Sequence, residues 1–270
     1  MRLTYTILSA LLILGVSSCK DSDRDEDVTT NSSEDYAIGQ TIAHDIFKIV
    51  HQAAYSSKGI TTANLTDTNT IFGCDTLIID TLSNPKSILI QFDSVCTYSS
   101  ITRSGTITIT TNSKYDTPGA STTVTFNDYK HNSYSILSGT ISIIYNGVLD
   151  SKPNYSFNAN DLKIENNKQQ LLTWSSTQKI NIEAGETTSI VTDDTYSTSG
   201  TNNGVAFKGN SFNTTISSDL AFSGSCNWVS TGLVNVSPNN KAVRKLNFGS
   251  NCDNKASVSI YDINYDIILP

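Results

Sequence analysis

The sequence predicts a mainly β protein: an antiparallel, meander-rich β domain with two related hairpin-based halves and one N-terminal amphipathic helix. Three observations point there. Only 37% of residues are hydrophobic and 16% charged, and Thr, Ser and Asn fill the deficit. Threonine suits exposed strand positions, and Asn and Ser suit turns. From Thr70 onward apolar residues recur with a period of two, in short runs separated by turn residues. Between residues 33 and 57 the period is instead three to four.

The chain begins with a leader. Arg2 is followed by the apolar stretch Ile7 to Val16 and by Val16-Ser17-Ser18 before Cys19. This is the layout of a bacterial signal peptide (residues 1–18) ending in a lipidated cysteine, Cys19. Read as a membrane anchor over residues 3–16, the segment is interrupted by Thr4, Thr6 and Ser9 and falls short of the ~20 residues a spanning helix needs. Secretion with cleavage near Ser18 and no lipid is the alternative, and the polar run directly after Cys19 favours lipidation. Residues 19–32 read as an acidic, disordered tether, with Lys20-Asp21-Ser22-Asp23-Arg24-Asp25-Glu26-Asp27 as a solvated spacer. Loss of Arg2 with the leader takes the net charge from −7 to −8. That balance argues against nucleic acid, whose phosphates need Lys and Arg, and against the folded part lying flat on anionic lipid.

Residues 33–57 form the helix. Ser33 is its expected cap, and Glu34 and Asp35 suit the positive end of its dipole. Ala37, Ile38, Ile42, Ile46, Val50 and Ala53 or Ala54 make an apolar stripe that Phe47 and Ile49 broaden, and Gly59 closes the segment. A stripe of this kind is expected to pack on the β domain, residues 58–270. There, Thr76 to Ile79 and Ser87 to Phe92 read as strands joined across Ser83-Asn84-Pro85-Lys86. Gly105 to Thr110 alternates strictly, with Ile107 and Ile109 inward. Further strands are expected at 124–126, 135–137, 140–143, 155–157, 171–174, 179–182, 189–191, 232–236, 244–248, 257–260 and 265–268.

Four cysteines follow Cys19: Cys74, Cys96, Cys226 and Cys252. Three pairings can be drawn, and sequence alone does not choose among them. The spacing favours one, because Cys74 and Cys96 are equidistant from Pro85 and Cys226 and Cys252 from Asn239, each a turn residue. Opposed residues at the open end of a hairpin fall within disulfide range. A thiolate metal site lacks its close Cys-x-x-Cys spacing. Ile90-Gln91-Phe92-Asp93-Ser94-Val95-Cys96 also parallels Leu246-Asn247-Phe248-Gly249-Ser250-Asn251-Cys252. The expectation is two related halves, about 70–150 and 170–270.

Several short motifs occur in order: Phe72-Gly73-Cys74, Arg103-Ser104-Gly105-Thr106-Ile107, Phe126-Asn127-Asp128-Tyr129, Ser138-Gly139-Thr140, Tyr145-Asn146-Gly147, Cys226-Asn227-Trp228, Pro238-Asn239-Asn240-Lys241 and Cys252-Asp253-Asn254-Lys255-Ala256. With them the chain resembles, over essentially its whole length, a family of uncharacterised Bacteroidetes (flavobacterial-type) outer-membrane lipoproteins. Where that family often has Gly before the last strand, this chain has Tyr261-Asp262. The resemblance implies a cell-surface or periplasmic lipoprotein of the outer membrane, and it implies no activity. The acidic run after Lys20 resembles the surface-export signal of Bacteroidetes lipoproteins. Asp75-Thr76-Leu77, Asp80-Thr81-Leu82 and Asp93-Ser94-Val95 resemble their O-glycosylation sequon, making Thr76, Thr81 and Ser94 candidates for modification.

Catalytic signals are sparse. His44 and His51 lie two helical turns apart, ~10 Å, too far to share a metal ion. With His131 they read as solvated side chains. Asp193-Asp194 is the one adjacent carboxylate pair in the β domain, and strand neighbours point to opposite faces. Trp174 is the candidate aromatic platform for a sugar ring, and Trp228, beside Cys226, reads as core. The sequence thus points to a non-enzymatic lipoprotein without cofactor or metal. It would act by binding, as accessory subunit of an outer-membrane complex or as an adhesion module. A carbohydrate-binding surface lipoprotein is the alternative, and a hydrolase ranks below both.

Overall fold

A computed structural model of the chain describes residues 27–56, 74–186, 188 and 191–269. The leader, Cys19, most of the tether and the segment 57–73 lie outside the described residues. The first described element is helix α1, Asn31–Ser56. Thirteen strands follow: β1 (Asp75–Asp80), β2 (Lys86–Tyr98), β3 (Ile101–Thr111), β4 (Ser121–His131), β5 (Tyr134–Leu149), β6 (Lys152–Glu165) and β7 (Leu171–Ala184). After a short 3-10 turn at Val191–Asp193 come β8 (Thr195–Val205), β9 (Ser211–Ser223), β10 (Thr231–Pro238), β11 (Arg244–Asn247), β12 (Lys255–Ile260) and β13 (Ile263–Ile268). Among the described residues they form one antiparallel meander in strict chain order, with β1 and β13 as its two edges.

The sheet wraps around the helix. Every described helical residue from Ser32 to Ala54 is buried except Glu34 and Thr41. The helix packs on the β domain as expected, and its polar side is covered as completely as the apolar one. At its start Thr30, not Ser33, holds the cap position. The Thr30 carbonyl accepts the amides of Ser33 and Glu34, at 2.8 and 3.1 Å, and its hydroxyl bonds the Glu34 carboxylate.

The strands alternate as a sheet with one buried face must. On β7, Leu172, Trp174, Ser176, Gln178, Ile180 and Ile182 are buried, while Thr173, Ser175, Thr177, Lys179 and Asn181 face out. Directly opposed outward residues form an unbroken row across all thirteen strands: Asp80, Ser87, Thr110, Thr123, Ser142, Asn158, Thr177, Thr201, Thr215, Asn235, Lys245, Ser259 and Asn264. None of them is buried. The excess of Thr, Ser and Asn is therefore the solvated outer face of one long sheet.

Both disulfides are those the spacing favoured. Cys74–Cys96 closes the open end of the β1–β2 hairpin, and Cys226–Cys252 does the same for β10–β11, with Cα separations of 5.2 and 5.9 Å. The first of the two similar segments lies in β2 and the second starts at the end of β11 and runs on to Cys252, toward opposite ends of the sheet. They sit in one continuous sheet, since β6 pairs with β7 from Asn154↔Asn181 to Glu165↔Leu171. Two corrections concern strands. β8 and β9 were not anticipated, and Val191 lies in the 3-10 turn rather than in a strand.

Candidate functional site

The side chains with chemical potential lie mostly along α1, and they meet inward-facing residues of the sheet. At the middle of the helix Asp45 faces Arg103 of β3. The guanidinium donates from Nη2 to Oδ1 at 2.6 Å and from Nε to Oδ2 at 3.0 Å, a bidentate pair with both partners buried. Nε2 of His131 lies 3.4 Å from Asp45 Oδ2. Burial alone would raise the Asp45 pKa, but Arg103 outweighs it and holds the carboxyl down at about 2. Burial lowers His131 to about 4, so its ring is neutral near pH 7. Lys48, one turn on, is also lowered by burial and donates to the carbonyl of Cys226 at 2.9 Å.

A second group is uncharged. Gln40 contacts His44 Nε2 at 2.7 Å, and its carbonyl oxygen accepts the Gln178 amide, also at 2.7 Å. Gln178 donates onward to Asn202 at 3.1 Å, and Asn202 accepts the Thr214 hydroxyl at 3.2 Å. His44 also reaches Thr198 at 3.1 Å, and its ring stacks on Phe222 with centroids 3.8 Å apart. The pKa of His44 falls well below the usual value through burial.

The third group surrounds the C-terminal part of the helix. His51 Nδ1 meets the Tyr115 hydroxyl at 3.2 Å, and its Nε2 stands 3.8 Å from Asp194 Oδ2. Asp194 accepts the Tyr196 hydroxyl at 2.8 Å. Burial lowers His51 to about 3 and raises Asp194 to about 6. A Tyr–His–Asp series has the residue types of a proton relay. Here the three rings and the carboxylate are packed into the core, with Tyr155 and Phe47 around them. Their shifts come from desolvation, as in a structural polar core.

All three histidines are thus buried, which corrects their assignment as solvated side chains. The polar face of α1 meets a polar stripe on the sheet rather than water. Trp174 is likewise removed as a ligand platform. It shares the inward phase of Leu172 and Ile180, is fully buried and lies against Gly39 of the helix. Trp228 packs partly buried against the core, as expected. Asp193 is exposed and hydrogen-bonded to Thr188, whereas Asp194 is buried, so the two carboxylates diverge. Thr76 and Ser94 are exposed and Thr81 half-buried, all on the β1–β2 hairpin. Among the described residues no group of three or more His, Cys, Asp or Glu side chains is placed to hold a metal ion.

Accessible concavity is found at the β13 edge. A hollow of about 510 Å³ is lined by the β11–β12 loop, Lys255 and Asp266–Ile268. Another, of about 580 Å³, lies between the lead-in Val28–Asn31, Glu34, Lys208 and Tyr265–Ile268. Both include the same three residues of β13. Asp266 and Ile268 were not singled out in the sequence, and the available signal was positional, since the last strand of a meander is an edge. Tyr261 and Asp262, standing where Gly was expected, both adopt left-handed φ, 52° and 61°. They form the tight hairpin turn that presents β13.

No protein-family model, curated protein or solved structure matches the chain.

Proposed function

We propose that the protein is a non-enzymatic outer-membrane lipoprotein, anchored through Cys19, that acts by binding as an accessory subunit of an envelope complex or as a surface adhesion module. The observation that carries this reading is how the interior is occupied. The helix fills the sheet's concave side, and its polar side chains meet partners from the sheet, so ligand contact belongs to the exterior. Outside, the face is rich in small polar residues, and two hollows, of about 510 and 580 Å³, adjoin one edge strand. The leader and the acidic run after Cys19 support an envelope location, and the family resemblance supports the outer membrane and a bacterium of the Bacteroidetes. Trp174 is in the core, so the glycan-binding alternative rests on the remaining aromatic residues and the all-β body. A hydrolase built on Asp193 and Asp194 loses its carboxylate pair in the same way.

The test is a mild-detergent pull-down of the tagged protein from native outer membranes, with intact-mass measurement of the recovered chain. A stoichiometric envelope partner and an acylated Cys19 are expected. Recovery of an unacylated chain with no partner would overturn the reading.

A further inference from the structure

We propose that the free edge of β13 is a docking site for an extended, lysine- or arginine-bearing segment of a partner protein, which joins the sheet as an added strand. The inference rests on the binding role proposed above and names the class of partner. Among the described residues β13 pairs only with β12. The Leu269 amide donates to the carbonyl of Asn254 at 2.7 Å, which fixes the hydrogen-bond phase. In an antiparallel ladder bonded pairs alternate, so Ile267, Tyr265 and Ile263 bond toward β12. The backbone N–H and C=O groups of Asn264, Asp266 and Ile268 are therefore directed to the open side.

An added strand needs room for side chains that alternate between two faces. Two hollows adjoin the strand. The 580 Å³ hollow lies toward the helix lead-in, and the 510 Å³ hollow lies by the β11–β12 loop. Ile263 and Ile268, 55% and 66% exposed, supply apolar contact along the edge.

Charge selects the occupant. Asp266 lines both hollows, with Asp253 in one and Glu34 in the other, against Lys255 and Lys208 respectively. Asp262 adds a further carboxylate at the turn. A cationic side chain opposite Asp266 is complementary, whereas a second copy in the register centred on Asp266 would set carboxylate against carboxylate. The net charge of −7 per chain opposes self-pairing further.

The test uses the full chain in detergent and a capped peptide alternating valine and lysine, Val-Lys-Val-Lys-Val-Lys-Val. Hydrogen exchange at the amides of Asn264, Asp266 and Ile268 should slow by about tenfold or more at saturating peptide. The same peptide with glutamate for lysine should give no protection. Asp266→Pro removes an edge-facing N–H without touching the β12 ladder, so it should abolish peptide binding while Tyr265 and Ile267 stay protected. Unprotected edge amides, or equal binding by D266P, overturn the proposal. So does self-association of the wild type that D266P abolishes, which makes the occupant a second copy. If the peptide binds while the native pull-down yields the lipoprotein alone, the subunit role fails and the edge site stands. An envelope partner recovered with edge amides unprotected gives the reverse result.

Discussion

Asp45 shows why single residues of this core are costly to alter. Its carboxylate is buried and ion-paired in two places with Arg103. Removing one partner of such a pair leaves a charge without compensation, which typically costs about 3–5 kcal/mol. Asp45→Ala should lose that much in urea unfolding, and the apolar double variant Asp45→Leu/Arg103→Met should recover most of it. The buried histidines make a separate prediction about pH. The folded pKa values of His51 and His131, about 3 and 4, lie below the unfolded value near 6.5. The unfolded chain therefore binds more protons in this range, and stability present above pH 6.5 is lost as pH falls toward 4. Asp35, Asp75 and Asp194, raised to about 6 by burial, act in the opposite sense, stabilising at low pH and losing that contribution as pH rises through 6. Asp45 holds its contribution above about pH 3.8 and loses it as pH falls through about 2. His51→Gln removes one histidine from the first set. Its loss of stability between pH 6.5 and 4 should be smaller than that of the wild type in parallel denaturant titrations, and equal slopes would refute the assignment. None of this was legible in the sequence. A polar residue on a helix reads as solvated unless the element opposite is known to be polar too.

At the scale of elements, Gly39 governs how closely α1 approaches β7. A Cβ there would stand 2.6 Å from the Trp174 indole, inside any normal contact. A non-glycine residue gains about 1 kcal/mol in helix propensity. A bulky one must also displace a buried tryptophan, and overpacking commonly costs about 1–3 kcal/mol. Gly39→Val should therefore destabilise, whereas a neutral or raised melting temperature would show that the helix can shift. Elements were legible to the extent that their buried faces are apolar. β3, with Ile107 and Ile109 inward, and β12, with Val258 and Ile260 inward, declare themselves. β8 does not, because its inward Thr198 and Asn202 serve the Gln40–His44 side of the helix and the alternation there is largely polar against polar. β9 does turn Phe212, Ile216, Leu220 and Phe222 inward, but Thr214 interrupts the row and serves the same polar group. The disulfides were legible because hairpin symmetry ties cysteine spacing to strand pairing. Both closures span short chain segments, 22 and 26 residues, so each contributes about 3 kcal/mol by restricting the unfolded chain.

For the whole molecule, the sheet and the helix depend on each other. The inner face of thirteen strands is covered by a helix near the start of the chain, through contacts as distant as Gln40 to Gln178 and Lys48 to Cys226. Contacts of such separation require long loops to close before they reward the chain, so folding on the ms–s scale is expected. Without α1, the sheet would expose the apolar residues that now meet it, such as Phe157, Tyr196 and Phe222, together with the unpaired Arg103 guanidinium. Exposed apolar area well beyond a few hundred Å² leads to association. A chain with residues 31–56 deleted should therefore fail to unfold cooperatively and should aggregate on refolding. A synthetic peptide of residues 31–56, supplied in trans, should restore a monomer with native near-ultraviolet signal. Rescue should require the Asp45 carboxylate, because a peptide carrying Asp45→Ala buries Arg103 without its partner. If the deleted chain instead remains monomeric and melts in one transition, the sheet supports itself. In that case the helix is an occupant of a preformed concavity, and the binding role would move from the edge strand to the interior.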